Sequence, residues 1–402
     1  MSDTTGRMRL RDCLPTRSPL SRLTARSLPP IDAGELRLSL PDGSVIVRRG
    51  DAPGPEAVID VCSWRAPLRM LFDGEHGFAD AYLAGEWSTP DLKAVLAWGM
   101  LNERVLARAG AGSWLTRVRN RLSHLRRENT RRGSRRNIAA HYDLGNSFYR
   151  AWLDAGMNYS SAIYGPEDTL EDAQNRKLDR VIELLALEGG ERVLEIGCGW
   201  GALAKRIVGS GCHVTGLTLS REQLTYALGH LKHTENGAAD LRLQDYRDVD
   251  GRYDRVASIE MLEAVGERFW PVYFAKLRNT LKEGGVAVLQ AITIDERRFT
   301  NYRKHPDFIQ RYIFPGGMLP TKTLIAELAS SSGLALVHEE AFGASYARTL
   351  ADWRSRFLSA WPGIEAMGFD QRFRRMWEYY LTYCEVGFHS GSVDVKLFKF
   401  VR

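Results

Sequence analysis

Residues 194–202 read "LEIGCGWGA", an apolar run, three glycines in five positions and the start of an alanine-led helical pattern. Strand, glycine loop and helix in that order let backbone approach a nucleotide cofactor. Gly197, Gly199 and Ala202 satisfy G-x-G-x-x-A, which admits a dinucleotide. A dinucleotide fold, however, ends its second strand in an acid about 20 residues on, where the ribose binds. Here that strand ends "GLTLS", with Thr218 and Ser220 and no acid before Glu222. Glu195 also stands directly ahead of the loop, giving E-x-G-x-G-x-G over Glu195, Gly197, Gly199 and Gly201. A carboxylate there suits S-adenosylmethionine, whose sulfonium and ammonium are cationic and which carries no phosphate.

Outward from the loop, strands and helices alternate. Helix-type periodicity over 175–187 leads to "ERVLEIG", a helix over 202–208 to "HVTGLTL", and a helix from Ser220 to "LRLQDY". "YDRVASIE", helical "WPVYFAKLRNTLK", "GGVAVLQAIT", a helix over 322–331 and a strand over 334–338 follow. This alternation predicts an α/β fold with a doubly wound sheet. Ser220 and Gln223 also form an S-x-x-Q capping box.

Ahead of that region, residues 1–30 are rich in Arg, Ser, Thr and Pro and are expected to be disordered. Residues 31–110 combine strand-like "ELRLSL" and "SVIVRR" around a Pro41-Asp42-Gly43 turn with later helical periodicity, predicting a smaller N-terminal α+β domain. Residues 111–137 form a basic amphipathic linker. Trp114, Leu115, Val118, Leu122 and Leu125 share one helical face, and Arg117, Arg119, Arg121, Arg126 and Arg127 cover much of the rest. Such a helix suits an anionic lipid surface or packing on a neighbouring domain. Residues 138–402 are then the catalytic domain.

The 402 residues are 44% hydrophobic, with a net charge of +6, enough for a large core and mildly favourable for an anionic partner. Five scattered cysteines without C-x-x-C argue against zinc or a disulfide framework, and no metal site is expected. The N-terminus lacks a secretory apolar region, and no apolar run reaches about 18 residues. A cytoplasmic protein in peripheral contact with the inner face of the membrane is expected.

Seven stretches stand in order: "HYDLGNSFYRAWLD" (141–154), "YSSAIY" (159–164), "VLEIGCGWGALA" (193–204), "GLTLSREQ" (216–223), "LQDYRDV" (243–249), "IFPGGMLP" (313–320) and "YARTLADW" (346–353). Together they closely resemble the cyclopropane-fatty-acid synthase family, class I S-adenosylmethionine-dependent methyltransferases that act on cis double bonds of acyl chains. The resemblance places Tyr159, Ser160, Gly197 and its loop, Thr218 and Gln223 around the cofactor, with Tyr246 and Arg247 beside the adenine. It places Tyr142, Glu263, Tyr346 and the backbone at Ile292 in the active site. A bound bicarbonate is implied as the base, held by a Cys, a Glu, a His, a Tyr and a backbone amide. Here Ser161 stands in place of the cysteine, Gln290 in place of the histidine, and Ala264 in place of a second histidine. The family's usual product, a cyclopropane, is expected, with a methyl- or methylene-branched chain as the alternative that these replacements raise. The implied partners are an anionic phospholipid membrane, an unsaturated acyl chain, a second copy of the chain and, for a methyl branch, a reductase; no nucleic acid is expected. Two further readings compete: an NAD-dependent oxidoreductase, and a non-catalytic membrane-binding module. Outside the family match, Glu260 reads as a surface or capping group, His141 is as readily structural as functional, and Trp377, Tyr379 and Tyr380 read as core or as a cation cage.

Overall fold

A computed structural model describes residues 17–109, 144–231 and 238–402. The basic linker of 111–137 lies outside them, as do His141 and Tyr142. The chain forms two compact units, Met1–Val118 with Asp370–Val386, and Arg119–Phe369 with Gly387–Arg402.

In the first unit, helix α1 (Pro19–Ser27) occupies part of the stretch expected to be disordered. Its start is strongly specified. Ser18 and Ser21 exchange side-chain to backbone hydrogen bonds of 3.0 and 3.1 Å, and Pro19 sits at the first helical position, where no donor is lost. A four-stranded sheet follows in the order β2-β1-β3-β4, from β1 (Ala33–Ser39), β2 (Val45–Arg49), β3 (Ala52–Val61) and β4 (Trp87–Ser88). Helices α2 (Arg65–Leu83), α3 (Leu92–Leu101) and α4 (Glu103–Ala109) accompany it. Buried Asn102 pins the entry to β1 by donating to the Ala33 carbonyl and accepting from the Asp32 and Ala33 N–H groups.

The second unit is the doubly wound sheet. Short α5 (Asn146–Arg150) precedes α6 (Leu170–Leu185), which starts ahead of the expected 175 because Thr169 and Asp172 form a reciprocal cap. Then come β5 (Arg192–Ile196), α7 (Ala202–Gly209), β6 (His213–Thr218), α8 (Arg221–Leu231), β7 (Ala239–Leu243), β8 (Tyr253–Ile259), α9 (Trp270–Thr280), β9 (Leu281–Ile294), α10 (Glu296–Tyr302), α11 (Lys322–Ser331), β10 (Ala335–Ala341), α12 (Gly343–Ala366), α13 (Gln371–His389) and β11 (Val393–Val401). The strand order is β10-β11-β9-β8-β5-β6-β7, and β11 alone runs against its neighbours. One apolar cluster packs α6, α7 and α8 on one face of the sheet, and another packs α9 and α11 on the other. The central strands are apolar on both sides for that reason. The order reverses beside β5, so the carboxyl end of β5 opens into a crevice, where such sheets bind ligands.

Most of α13 belongs to the first unit, which includes Asp370–Val386. There Arg375 donates to the Tyr82 and Trp87 carbonyls, and Lys93 pairs with Glu385 at 2.7 Å. Trp377 and Tyr379 are core residues of that unit: Trp377 stacks on Phe373, and Tyr379 packs on Tyr82 and Tyr383.

Candidate active site

The loop after β5 is tied to β6 by its own backbone. The Gly197 and Cys198 N–H groups both donate to the Leu217 carbonyl, at 2.9 and 2.8 Å. Gly197 holds φ +85°, and a Cβ there would lie 2.8 Å from the Met261 Cγ. Gly201, at φ +89°, starts α7, and its missing side chain leaves room for Ala227 of α8. Tyr159, Ser160, Glu195, Gly197, Gly199, Thr218, Gln223 and Tyr246 line one cleft. Two expected cofactor residues do not line it. Gly201 supports the loop from behind, and Arg247 is paired with Asp245 at 2.8 and 2.6 Å while its guanidinium lies 5.5 Å over the rings of Tyr246 and Phe269. The Ser220 half of the expected capping box forms, with its hydroxyl accepting from the Gln223 N–H. The Gln223 side chain turns instead to accept from the Thr218 hydroxyl at 2.9 Å.

The cleft fits S-adenosylmethionine. Glu195 is 3% exposed, its Oε2 has no hydrogen-bond partner, and burial pushes its pKa up to about 8. The Tyr246 hydroxyl is likewise buried without a partner. Buried polar atoms left unmatched are costly unless a ligand satisfies them. A cationic ligand with several donors would satisfy them. No group of His, Cys, Asp and Glu suited to a metal occurs among the described residues.

Beyond the Ser160–Ser161 peptide lies a second constellation, centred on Glu260. One carboxylate oxygen accepts from the Ser161 N–H at 2.8 Å and from the Gln290 amide at 2.7 Å; the other accepts from the Tyr346 hydroxyl at 2.7 Å. Glu260 sits at the end of β8 with φ +48°, a left-handed conformation uncommon for a residue with a side chain. Such strain concentrates at functional sites. Glu260 also lines the cleft. Burial raises its pKa, while Ser161, Tyr346, Gln290 and the Lys177 ammonium favour the ionised form.

The site therefore corrects several expectations. The residues expected to hold bicarbonate, Ser161, Gln290 and Tyr346, close on the carboxylate of Glu260, and the Ser161 hydroxyl turns away to donate to the Ala162 carbonyl at 2.9 Å. The Ile292 N–H donates to Glu263, whose other oxygen is buried without a partner. A bicarbonate ion does not fit where its donors are already taken. Glu263 lies beside Glu260; burial, with the Glu260 charge adding to it, pushes its pKa up to about 8. Glu260 is no surface group, because β8 delivers it beside Gln290 of β9, with Ile259 and Gln290 in register. Lys177 of α6 is the second residue that sequence reasoning missed. It is buried, and its ammonium donates to the Ser160 hydroxyl at 2.8 Å.

Comparison with known proteins identifies the family. Residues 129–398 match the family model described as mycolic acid cyclopropane synthetase. A tuberculostearic acid methyltransferase of Mycobacterium tuberculosis is 39% identical over 95% of this chain and 90% of its own length. A cyclopropane-fatty-acyl-phospholipid synthase of Escherichia coli is 37% identical over 81% of this chain and 83% of its own. The crystal structure of mycolic acid cyclopropane synthase CmaA1, complexed with SAH and CTAB, superposes with a TM-score of 0.63 at 31% identity, covering 67% of this chain and 98% of that one. The oxidoreductase reading is overturned: these relatives are methyltransferases and cyclopropane synthases, and β6 ends in the Thr218–Gln223 pair where a ribose-binding acid would stand.

Proposed function

The chain belongs to the mycolic acid cyclopropane synthetase family and is an S-adenosylmethionine-dependent methyltransferase, and on that premise we propose that it methylates a cis double bond of a phospholipid acyl chain and leaves a methylene branch. The observation that carries this reading is Glu260, a carboxylate of the chain itself standing in the donor set where bicarbonate was expected. S-adenosylmethionine supplies an electrophilic methyl group when bound.

The residues act around that group. Glu195 favours the cationic methionine portion, and the glycine loop brings backbone close to it. An alkene is a weak nucleophile, so in-line placement against the methyl matters more than activation. Attachment of the methyl to one alkene carbon leaves a cation on its neighbour. The ring of Tyr346, set edge-on to Trp353 at 6.1 Å, and the Glu260 carboxylate are suited to stabilise it. Both oxygens of Glu260 already accept hydrogen bonds, which lowers their basicity and delays proton removal. A hydride shift to the more stable tertiary cation at the methyl-bearing carbon then precedes deprotonation. Glu260 takes a proton from the new methyl group, and that C–H pair forms the C=CH₂ bond. Overall one methyl is gained and one proton lost. A saturated methyl branch requires a further hydride and proton, which a separate reductase would supply.

The relative named for tuberculostearic acid supports this branch of the family, and it matches nearly the full chain. No helix among the described residues is long and apolar enough to cross a membrane, consistent with substrate taken from a bilayer surface. The test combines the purified protein, S-adenosylmethionine with a carbon-13 methyl group and vesicles of cis-monounsaturated phosphatidylglycerol. A carbon-13 alkene methylene signal in the extracted lipid is expected. A far-upfield cyclopropane signal overturns the product, and no label in lipid overturns the substrate.

A further inference from the structure

Among the described residues, Lys177 is the only buried lysine or arginine, at 1% exposure. Removing an ammonium from water costs several kcal/mol unless charge and hydrogen bonds compensate. An apolar side chain of that length would fill the same space without that cost, so the charge needs a physical reason.

Its surroundings supply one. Helix α6 grips Ser160 twice from one face: the Gln174 amide donates to its carbonyl at 2.9 Å, and Lys177 donates to its hydroxyl at 2.8 Å. The next peptide N–H, that of Ser161, donates to Glu260. Burial lowers the ammonium's pKa to about 8, and the charges of Glu260 after β8, Asp154 in the turn after α5 and Glu195 at the end of β5 oppose that fall. Asp154 is already engaged by the N–H groups of Gly156 and Asn158 and by the Asn158 amide. Glu260 is faced in addition by Glu263 and by the Tyr346 hydroxyl.

We propose that Lys177 is a positioning residue for the methyl transfer: its buried ammonium keeps Glu260 ionised for proton removal and, through Ser160, fixes the peptide that orients that carboxylate. The inference rests on Glu260 being the base. A nearby cation lowers a carboxylate pKa by about 1–3 units, and its loss raises it. The rate falls where the base becomes protonated, so removing the cation moves the acid limb of the pH profile upward.

Lys177→Met, Lys177→Arg and Glu260→Gln are compared in the full-length protein. Methyl transfer to phosphatidylglycerol vesicles is followed against pH at saturating S-adenosylmethionine, with S-adenosylhomocysteine affinity measured by calorimetry. The acid limb of kcat is expected to rise by at least about one unit in Lys177→Met, a tenfold loss on its acid side. Lys177→Arg should keep the limb in place, and S-adenosylhomocysteine should still bind Lys177→Met. A slow Lys177→Met whose acid limb has not moved overturns the proposal and leaves a packing role. Should that variant not fold, Lys177→Gln, which keeps a donor for Ser160 without the charge, carries the same expectation and the same overturning result. Glu260→Gln separates the two claims. If it stays active, the base assignment fails and Lys177 with it; if it is inactive while the Lys177→Met limb is unmoved, only the Lys177 inference fails.

Discussion

The cofactor cleft and the Glu260 site adjoin at the Ser160–Ser161 peptide, yet they are finished differently. The cleft is shaped by backbone, with its loop held by the Leu217 carbonyl, and it leaves the Glu195 Oε2 and the Tyr246 hydroxyl unmatched. The Glu260 site is made of side chains and one N–H; both oxygens of the Glu260 carboxylate itself are matched, while the neighbouring Glu263 Oε2 and Gln290 Oε1 are not. Unmatched buried atoms mark a place that a ligand completes. A matched carboxylate is already complete and acts through the charge and proton affinity it holds. Binding should therefore follow the cleft, and turnover the Glu260 site.

The sharpest attempt to break that division is Glu260→Gln. Loss of a general base costs about 10²–10⁴ in rate, so kcat should fall by about 10³ while S-adenosylhomocysteine affinity changes less than about threefold. Methyl transfer to vesicles and calorimetry on the same preparation measure the two numbers. Equal losses in both would merge the two regions into one. The converse variant, Gly197→Ala, comes next in size. A side chain at φ +85° costs about 1–2 kcal/mol, and the new Cβ would press on Met261. S-adenosylhomocysteine should bind about tenfold more weakly, with kcat at saturation nearly kept. A collapse of kcat with binding intact would reverse the assignment.

The same division describes what was legible in the sequence. Local pattern carries strand–loop–helix, so the sheet from β5 to β10 and the residues along the glycine loop could be read from periodicity, and the family motifs named most of the cleft. Glu260 could not be read that way. Its donors come from positions 99, 30 and 86 residues distant, and its i,i+3 spacing to Glu263 looks like a helix start. Ser161 and Gln290 were noticed as departures, but their common target becomes visible only when β8 and β9 pair. Lys177 did leave a trace: it falls in the stripe of Leu170, Ala173, Gln174, Val181 and Leu184, where α6 is buried. A lysine inside an apolar helical stripe is rarely solvated. Helices α12 and α13 and strand β11 are not legible in the same way, because α12 and α13 are long and rich in buried aromatics and β11 follows a helix as an antiparallel strand rather than a βαβ crossover.

Glu195 offers the finest test, because there the cleft's incompleteness becomes a pH dependence. Burial holds its carboxyl protonated up to about pH 8. A cationic ligand favours the carboxylate, so binding of S-adenosylmethionine expels that proton and strengthens as pH rises, levelling above the pKa. For one group titrating near 8, affinity should rise about threefold between pH 7.5 and 8.5. Lys177 faces Glu195 and has its own pKa lowered to about 8 by burial, so its loss of charge would act in the same direction. Glu195→Gln isolates the carboxylate: its affinity should lose most of that slope, and calorimetry in buffers of different ionisation enthalpy should show less proton release than in the unaltered protein. An undiminished slope in Glu195→Gln would move the titration to Lys177. The cleft would then recognise its cationic ligand by shedding a positive charge rather than by gaining a negative one.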